Sequence, residues 1–314
     1  ISGFDSTFTL VGIPNQGGFV TSGVFTTTPS SGAGGSATID APMVSLDGGG
    51  SLVSAATGSG RGGDLSVTGN NVALTNGGLI HSLSGEIDPI TLEARGSGQG
   101  GDISVTATES IHLTGGSLDV FTESRIFSDT VGSGKSGDLS VIAPNVAIEN
   151  SAFLVTFSQG TGAAGRITVE ASNLLSVSGI DEIFGVGAAI SSSASGLLDG
   201  GGSGELDIYA RTLLVEDGGS IGTTTSTSTV AGDIIIIGEN FTIRRGAIST
   251  GSSQSGSTGT ITLNATETIT ISEPFDPGVP VVVANIQEGS GGQGDIVIQA
   301  REILVTNGAE VFSS

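Results

Sequence analysis

Cysteine is absent from the 314 residues. This excludes disulfides and thiolate metal sites, so stability must come from packing and backbone hydrogen bonds. Tryptophan is also absent and tyrosine occurs once. Any core is therefore lined by Ile, Leu, Val and Ala, which suits a narrow layered interior better than a broad one. Positive charge is scarce, with 9 Lys and Arg against 31 Asp and Glu and a net charge of −22. A surface this acidic repels phosphate backbones and anionic lipid, which excludes nucleic acid as a partner and makes multivalent cations the natural counter-ions. No apolar run approaches the roughly 18 residues of a membrane-spanning helix, so membrane insertion is not expected. Helical spacing is missing too: apolar i, i+3, i+4 series do not occur, and β-branched residues dominate. The chain starts at Ile1 without Met or a signal-like segment, which reads as a processed or excised piece.

What the chain has instead is glycine, 54 residues of it, together with 36% hydrophobic residues at regular spacing. Regular spacing turns a glycine excess from a sign of disorder into a sign of many tight turns between short strands. Aligning on the glycine before each strand gives Gly35, Gly63, Gly101, Gly137, Gly165, Gly204, Gly232, Gly259 and Gly294. The basal interval is about 28 residues, and four intervals carry extra residues. Each glycine precedes apolar residues two apart, such as Leu65/Val67, Ile103/Val105, Ile167/Val169 and Ile296/Ile298. A small residue follows, for example Gly69, Ala107, Ala143 and Ala171, where only a small inward side chain leaves room for a bend. A second alternating pair comes next, such as Val72/Leu74, Ile111/Leu113 and Phe241/Ile243. A third short strand is read at Leu52-Val53, Leu79-Ile80, Phe153-Leu154, Ile221, Ile248 and Val311-Phe312. Period two places one face inward and one outward.

Self-similarity at a fixed period favours a solenoid over a meander or sandwich, because each unit then buries its inward residues against its neighbours. The expected fold is all-β, a parallel β-helix with three short strands per coil. Residues 1–33 form a degenerate leading coil, with alternations at Phe8-Thr9-Leu10-Val11 and Phe19-Val20, and residues 34–314 form about nine units. At the strand spacing this is a rod of roughly 45 Å. Extra residues leave the stack at loops: Glu86-Ile87-Asp88-Pro89, Ile180-Asp181-Glu182-Ile183-Phe184 and Glu273-Pro274-Phe275-Asp276-Pro277. No capping repeat is visible after Val311-Phe312-Ser313-Ser314, so the piece reads as truncated from a longer array. Its exposed strand edges make end-to-end self-association an expectation.

The repeats Gly62-Gly63-Asp64-Leu65-Ser66-Val67, Ser136-Gly137-Asp138-Leu139-Ser140-Val141-Ile142-Ala143 and Gly294-Asp295-Ile296-Val297-Ile298-Gln299-Ala300 resemble those of large exoproteins of the filamentous-haemagglutinin type. These are the passengers of two-partner secretion. The resemblance spans about residues 34–314 and is one of repeat style. It implies a right-handed β-helix, export through an outer-membrane secretion partner, and an adhesive or structural role at the bacterial cell surface. A cell-surface or matrix glycan or protein would then be the receptor. The family's N-terminal secretion domain is not in the sequence.

The first chemical candidate is the acidic residue after the turn glycine: Asp64, Asp102, Asp138, Glu205, Asp233 and Asp295. Stacked like charges repel, and Ca2+, which takes about six to eight oxygens, would relieve them. Alternatively each carboxylate caps its own turn by accepting a backbone N–H. Arg166, Ser36 and Thr260 interrupt the column and favour capping. Gly98-Gln99-Gly100-Gly101-Asp102 and Gly291-Gly292-Gln293-Gly294-Asp295 are similar to a calcium nonapeptide, but nothing repeats at nine. Glycosidase chemistry needs two carboxyls at a set separation; Asp181/Glu182 with Asp199, or Asp217 with Glu216, are the pairs available. Surface acids are the common case, so no enzymatic activity is expected, and no organic cofactor. His81 and His112 lack partners at ligand spacing and read as solvated. Thr223-Thr224-Thr225-Ser226-Thr227-Ser228-Thr229 reads as an outward row of hydroxyls, a surface for polysaccharide or simply strand propensity.

Overall fold

The computed structural model describes residues 7–11, 23–28, 31–87, 94–117, 122–181, 185–195, 200–273 and 282–314. Among these every regular element is a strand. Two large sheets run the length of the chain with their strands in sequence order and all parallel. The first is built mainly of long strands: Leu65–Thr75, Ile103–Thr114, Leu139–Glu149, Ile167–Ser178, Leu206–Glu216, Ile234–Arg244 and Ile261–Ser272. The second holds six-residue strands that alternate with them, from Ser51–Ala56 and Leu79–Ser84 to Ala247–Ser252 and Val282–Gln287. Successive units thus lie one above another, as expected for a parallel β-solenoid.

The two strands read before and after each small residue are joined into one strand in the central units. The pairing register shifts at the joint, between Ala107 and Ser110, Ala143 and Asn145, Ala171 and Leu174, and Gly238 and Asn240. A bulge adds a residue and bends the strand, so both halves keep their alternate residues inward. The small residue is needed at the bend because a neighbouring unit's backbone comes close: a Cβ on Gly69 would lie 2.6 Å from the Ala41 carbonyl oxygen.

Like sits on like inside the tube. Leu65, Ile103, Leu139, Ile167, Leu206, Ile234 and Ile261 are register partners in successive strands. All are essentially inaccessible to solvent. At about 25 cal/mol per Å2, each such side chain contributes roughly 1.5–3 kcal/mol by leaving water. The corner between long and short strands uses left-handed backbone, as at Asn76-Gly77, Asp217-Gly218 and Asn307-Gly308. Asn, Asp and Gly are the residues that tolerate it at least strain.

The short strands hold the largest departure from expectation. Their first inward residue is apolar, as at Ile80, Ile126, Leu154, Ile190, Ile221, Ile248 and Val283, but the second is polar and buried: Ser54, Ser82, Ser128, Thr156, Ser192, Thr223, Thr250 and Asn285. All but Ser128, whose hydroxyl has no hydrogen-bond partner among the described residues, tie the strand to the glycine turn that follows it. Gly63 N–H donates to Ser54 Oγ at 2.9 Å, and Thr223 Oγ1 donates to the Gly232 carbonyl at 2.6 Å. The row Thr223–Thr229 is therefore not an outward hydroxyl row. Thr223, Thr225 and Thr227 are buried and Thr224 and Ser228 exposed, because a strand turns every second side chain inward.

The inserted segments stand outside the stack where they are described. Glu86–Ile87 pairs antiparallel with Ala94–Arg95, and Gly116–Ser117 with Thr122–Glu123. Ile180 bridges to Gly187. Phe19-Val20, Asp88-Pro89, Glu182–Phe184 and Pro274–Pro277 lie outside the described residues. Of the leading residues, Thr7–Val11 and Gly23–Thr28 pair with the strands Met43–Asp47 and Ser51–Ala56. The last strands, Ile296–Gln299, Glu302–Thr306 and Glu310–Ser313, pair on one side only. Their Ile303 and Val305 are each 45% exposed, whereas the partners Ile269 and Ile271 are at 0%.

Candidate functional site

The turn acids do form a column beside the long-strand sheet, and Asp64, Asp102, Asp138 and Asp233 act as caps. The N–H they cap belongs to the next unit, not to their own turn. Asp64 Oδ1 accepts from the Asp102 N–H at 2.9 Å, Asp102 Oδ1 from Asp138 N–H at 2.9 Å, and Asp138 Oδ1 from Arg166 N–H at 2.7 Å. Asp233 Oδ1 accepts from Thr260 N–H at 2.7 Å. One unit's carboxylate thus satisfies a backbone donor of the next, a charge-assisted bond linking consecutive coils.

Cations also lie among these acids. Arg61 bridges Asp64 at 2.6 Å and Asp102 at 3.0 Å, and Lys135 Nζ reaches Asp138 at 2.7 Å. Arg166, which occupies the acid's position in its own unit, pairs with Glu205 and with the buried Asp207. The like-charge repulsion that suggested Ca2+ is thereby relieved by guanidinium, ammonium and backbone N–H. Among the described residues no group of three or more His, Asp and Glu side chains is placed to hold a metal ion. Beside the column runs a shallow depression floored by Ser66, Ser104, Ser140 and Thr168.

Of the carboxylates in the candidate pairs, Glu216 and Asp217 are tied to arginine, and Asp181 Oδ2 accepts from the Gly116 N–H at 3.4 Å. Glu216 Oε1 accepts from Arg244 Nε at 3.0 Å, and Asp217 contacts both Arg244 and Arg245. The hydrogen bond to Glu216 and its charge, followed by the charge of Asp217, raise the Arg244 pKa above its ordinary value. Both carboxylates are thus engaged in ion pairs with arginine, not set apart across a cleft as a hydrolytic pair would be. Glu182 and Asp199 lie outside the described residues.

The histidines differ from the solvated reading. His81 Nε2 lies 2.8 Å from Asp129 Oδ1, with side chains only 19% and 11% exposed. Its ring stacks on Phe127 with centroids 5.0 Å apart, and Arg125 lies over the other residue of that stack, 5.6 Å from the Phe127 centroid. His112 does face outward, and it meets Glu149 at 3.1 Å. Both partners come from the following unit, a separation that no local spacing rule can find. Compared with protein-family models, with curated proteins and with solved structures, the chain matches none.

Proposed function

We propose that this chain is a structural and adhesive stretch of a secreted surface exoprotein, a stiff rod that holds its loops and outer faces for contact with other surfaces. The observation that carries the reading is the continuous strand-on-strand stacking of the units. Each strand of the two sheets pairs with the corresponding strand of its neighbours, and the inward residues fill the interior. Such a body has geometry to offer. Repeated outer faces give many weak contacts, and avidity multiplies them without any single strong site. We read the coil as right-handed with three faces. Crossovers between parallel strands are right-handed in about 98% of cases, and the bulged bend divides each long strand into two faces. Export through an outer-membrane partner and placement at a bacterial surface follow from the resemblance of the repeats.

Adhesion is tested with beads that carry many copies of the chain, measured against single copies in solution. Beads are expected to adhere to cell layers or extracellular matrix far more than bare beads, while the single chain binds weakly. Beads no more adherent than the bare controls would sink the reading. Cleavage of glycans by the chain would move it to the polysaccharide-active class instead. The rival reading, a calcium-dependent matrix or surface-layer component, rests on the acidic column. Because the column's carboxylates accept from backbone N–H groups and pair with Arg61, Lys135 and Arg166, the melting temperature is expected to be the same with EDTA as with calcium. A clear fall in EDTA would favour the rival.

A further inference from the structure

The outer face of the short-strand sheet differs from the rest of the surface in three ways. Phenylalanine is concentrated there. Of the six phenylalanines whose side chains are described, Phe241 alone is in the core; Phe25, Phe127, Phe153, Phe157 and Phe312 all occupy outward positions of short strands. The face also changes height abruptly. Phe157, Ser193, Thr224, Gly251 and Ile286 follow one another in the outward position of consecutive strands, so the chain drops from an aromatic to small residues and rises again at Ile286. The result is a groove of about 460 Å3, closed at one end by Phe157. Four strand steps make it roughly 19 Å long.

The groove is also uncharged along its floor. Its lining carries a single ionisable residue, Glu288, in a chain with a net charge of −22. The acidic column on the other sheet is lined by Asp64, Asp102, Asp138 and Arg166. What the groove offers is hydroxyl. The side chains of Ser193, Ser195, Thr224, Ser249 and Ser253 line it and have no hydrogen-bond partner among the described residues. A hydroxyl both donates and accepts, so the groove complements a ligand that does the same and carries no charge. Strand propensity does not account for it, since Ser and Gly are poorer than Thr, Val or Tyr at outward strand positions.

We infer that this groove binds an extended neutral polysaccharide chain along the rod axis, with a sugar ring against Phe157 and sugar hydroxyls exchanging hydrogen bonds with the free Ser and Thr side chains. The inference rests on the adhesive reading and names its ligand class. An anionic glycan, a phosphate polymer or a lipid surface would meet no cation in the groove and the repulsion of the whole chain. A protein partner is the remaining alternative.

The test is binding of the whole chain to an array of short neutral oligosaccharides of glucose, mannose, galactose and xylose, with uronic and sulphated sugars beside them. Two variants locate the site. Phe157→Ala removes the end wall. Gly251→Gln fills the floor, where a Cβ would meet nothing nearer than Thr224 Cγ2 at 3.4 Å, so folding tolerates it. Each variant is expected to weaken binding of a neutral oligosaccharide roughly tenfold or more, with the melting temperature of Gly251→Gln unchanged. Ile237→Gln, on the other sheet, is expected to bind as the parent does. The inference is overturned if no neutral oligosaccharide binds, if only acidic sugars bind, or if neither groove variant weakens binding. Bead adhesion that survives both variants would remove this groove and leave the adhesive reading standing; loss of all adhesion in the parent chain would remove both.

Discussion

Gly204→Ala is expected to destabilise the chain by about 3 kcal/mol or more. The reason is the way the turns stack. At Gly63, Gly101, Gly137, Gly165, Gly204, Gly232, Gly259 and Gly294, an added Cβ would fall on the carbonyl of the equivalent glycine one unit earlier, well inside the 3.0 Å that real Cβ atoms keep. The atom struck is backbone, and the adjoining strands hold that backbone in parallel ladders on both sides. No side-chain rotation can relieve the overlap. Left-handed backbone is not the cause, because Gly204 has no positive φ. The control is Gly251→Ala, which faces open groove and is expected to change stability little. Urea denaturation with hydrogen exchange is the suitable measurement, since a solenoid can lose one region without the rest. If Gly204→Ala melts like the parent, the turns are not stacked as described.

The second large effect is a contrast between two aligned isoleucines. Ile269 and Ile303 are register partners in adjacent strands, at 0% and 45% exposure. Truncating Ile269 to alanine leaves a cavity between two units and is expected to cost about 2–5 kcal/mol. Ile303→Ala removes a side chain with cover on one side only and is expected to cost roughly 1 kcal/mol or less. Equal losses at the two positions would mean that burial does not come from unit-on-unit stacking.

Much of this architecture was legible because it is written in period. The aligned glycines, read only as turns, are the residues whose backbones approach most closely. The small residues after each first strand mark the bulged bend. The third strand was visible where it follows the second at the basal spacing, as at Leu79-Ile80, Phe153-Leu154, Ile221 and Ile248. It was missed at Ile126, Ile190 and Val283, where inserted residues separate it from the second strand and carry it away from that spacing. Thr223–Thr229 was misplaced for another reason, since a buried hydroxyl paired with a turn glycine has the composition of a solvated one. Site chemistry was legible in kind but not in partner. The acids cap backbone, yet the N–H belongs to the next unit. His81 meets Asp129 across 48 residues of chain. Contacts between units are invisible to spacing rules that read one unit at a time.

The stacking itself is most directly measured by electron–electron distances between spin labels, since the chain has no cysteine of its own to compete. Cysteine is introduced at Ser66 and, in turn, at Thr168, Ile235 and Val297. These four are outward positions in one register column, the last three lying three, five and seven strands from the first. Backbone separations of about 14, 24 and 34 Å are expected, rising in proportion to the number of strands crossed. Separations that do not follow unit order, with Val297 nearer to Ser66 than Thr168 is, would contradict a tube of stacked coils.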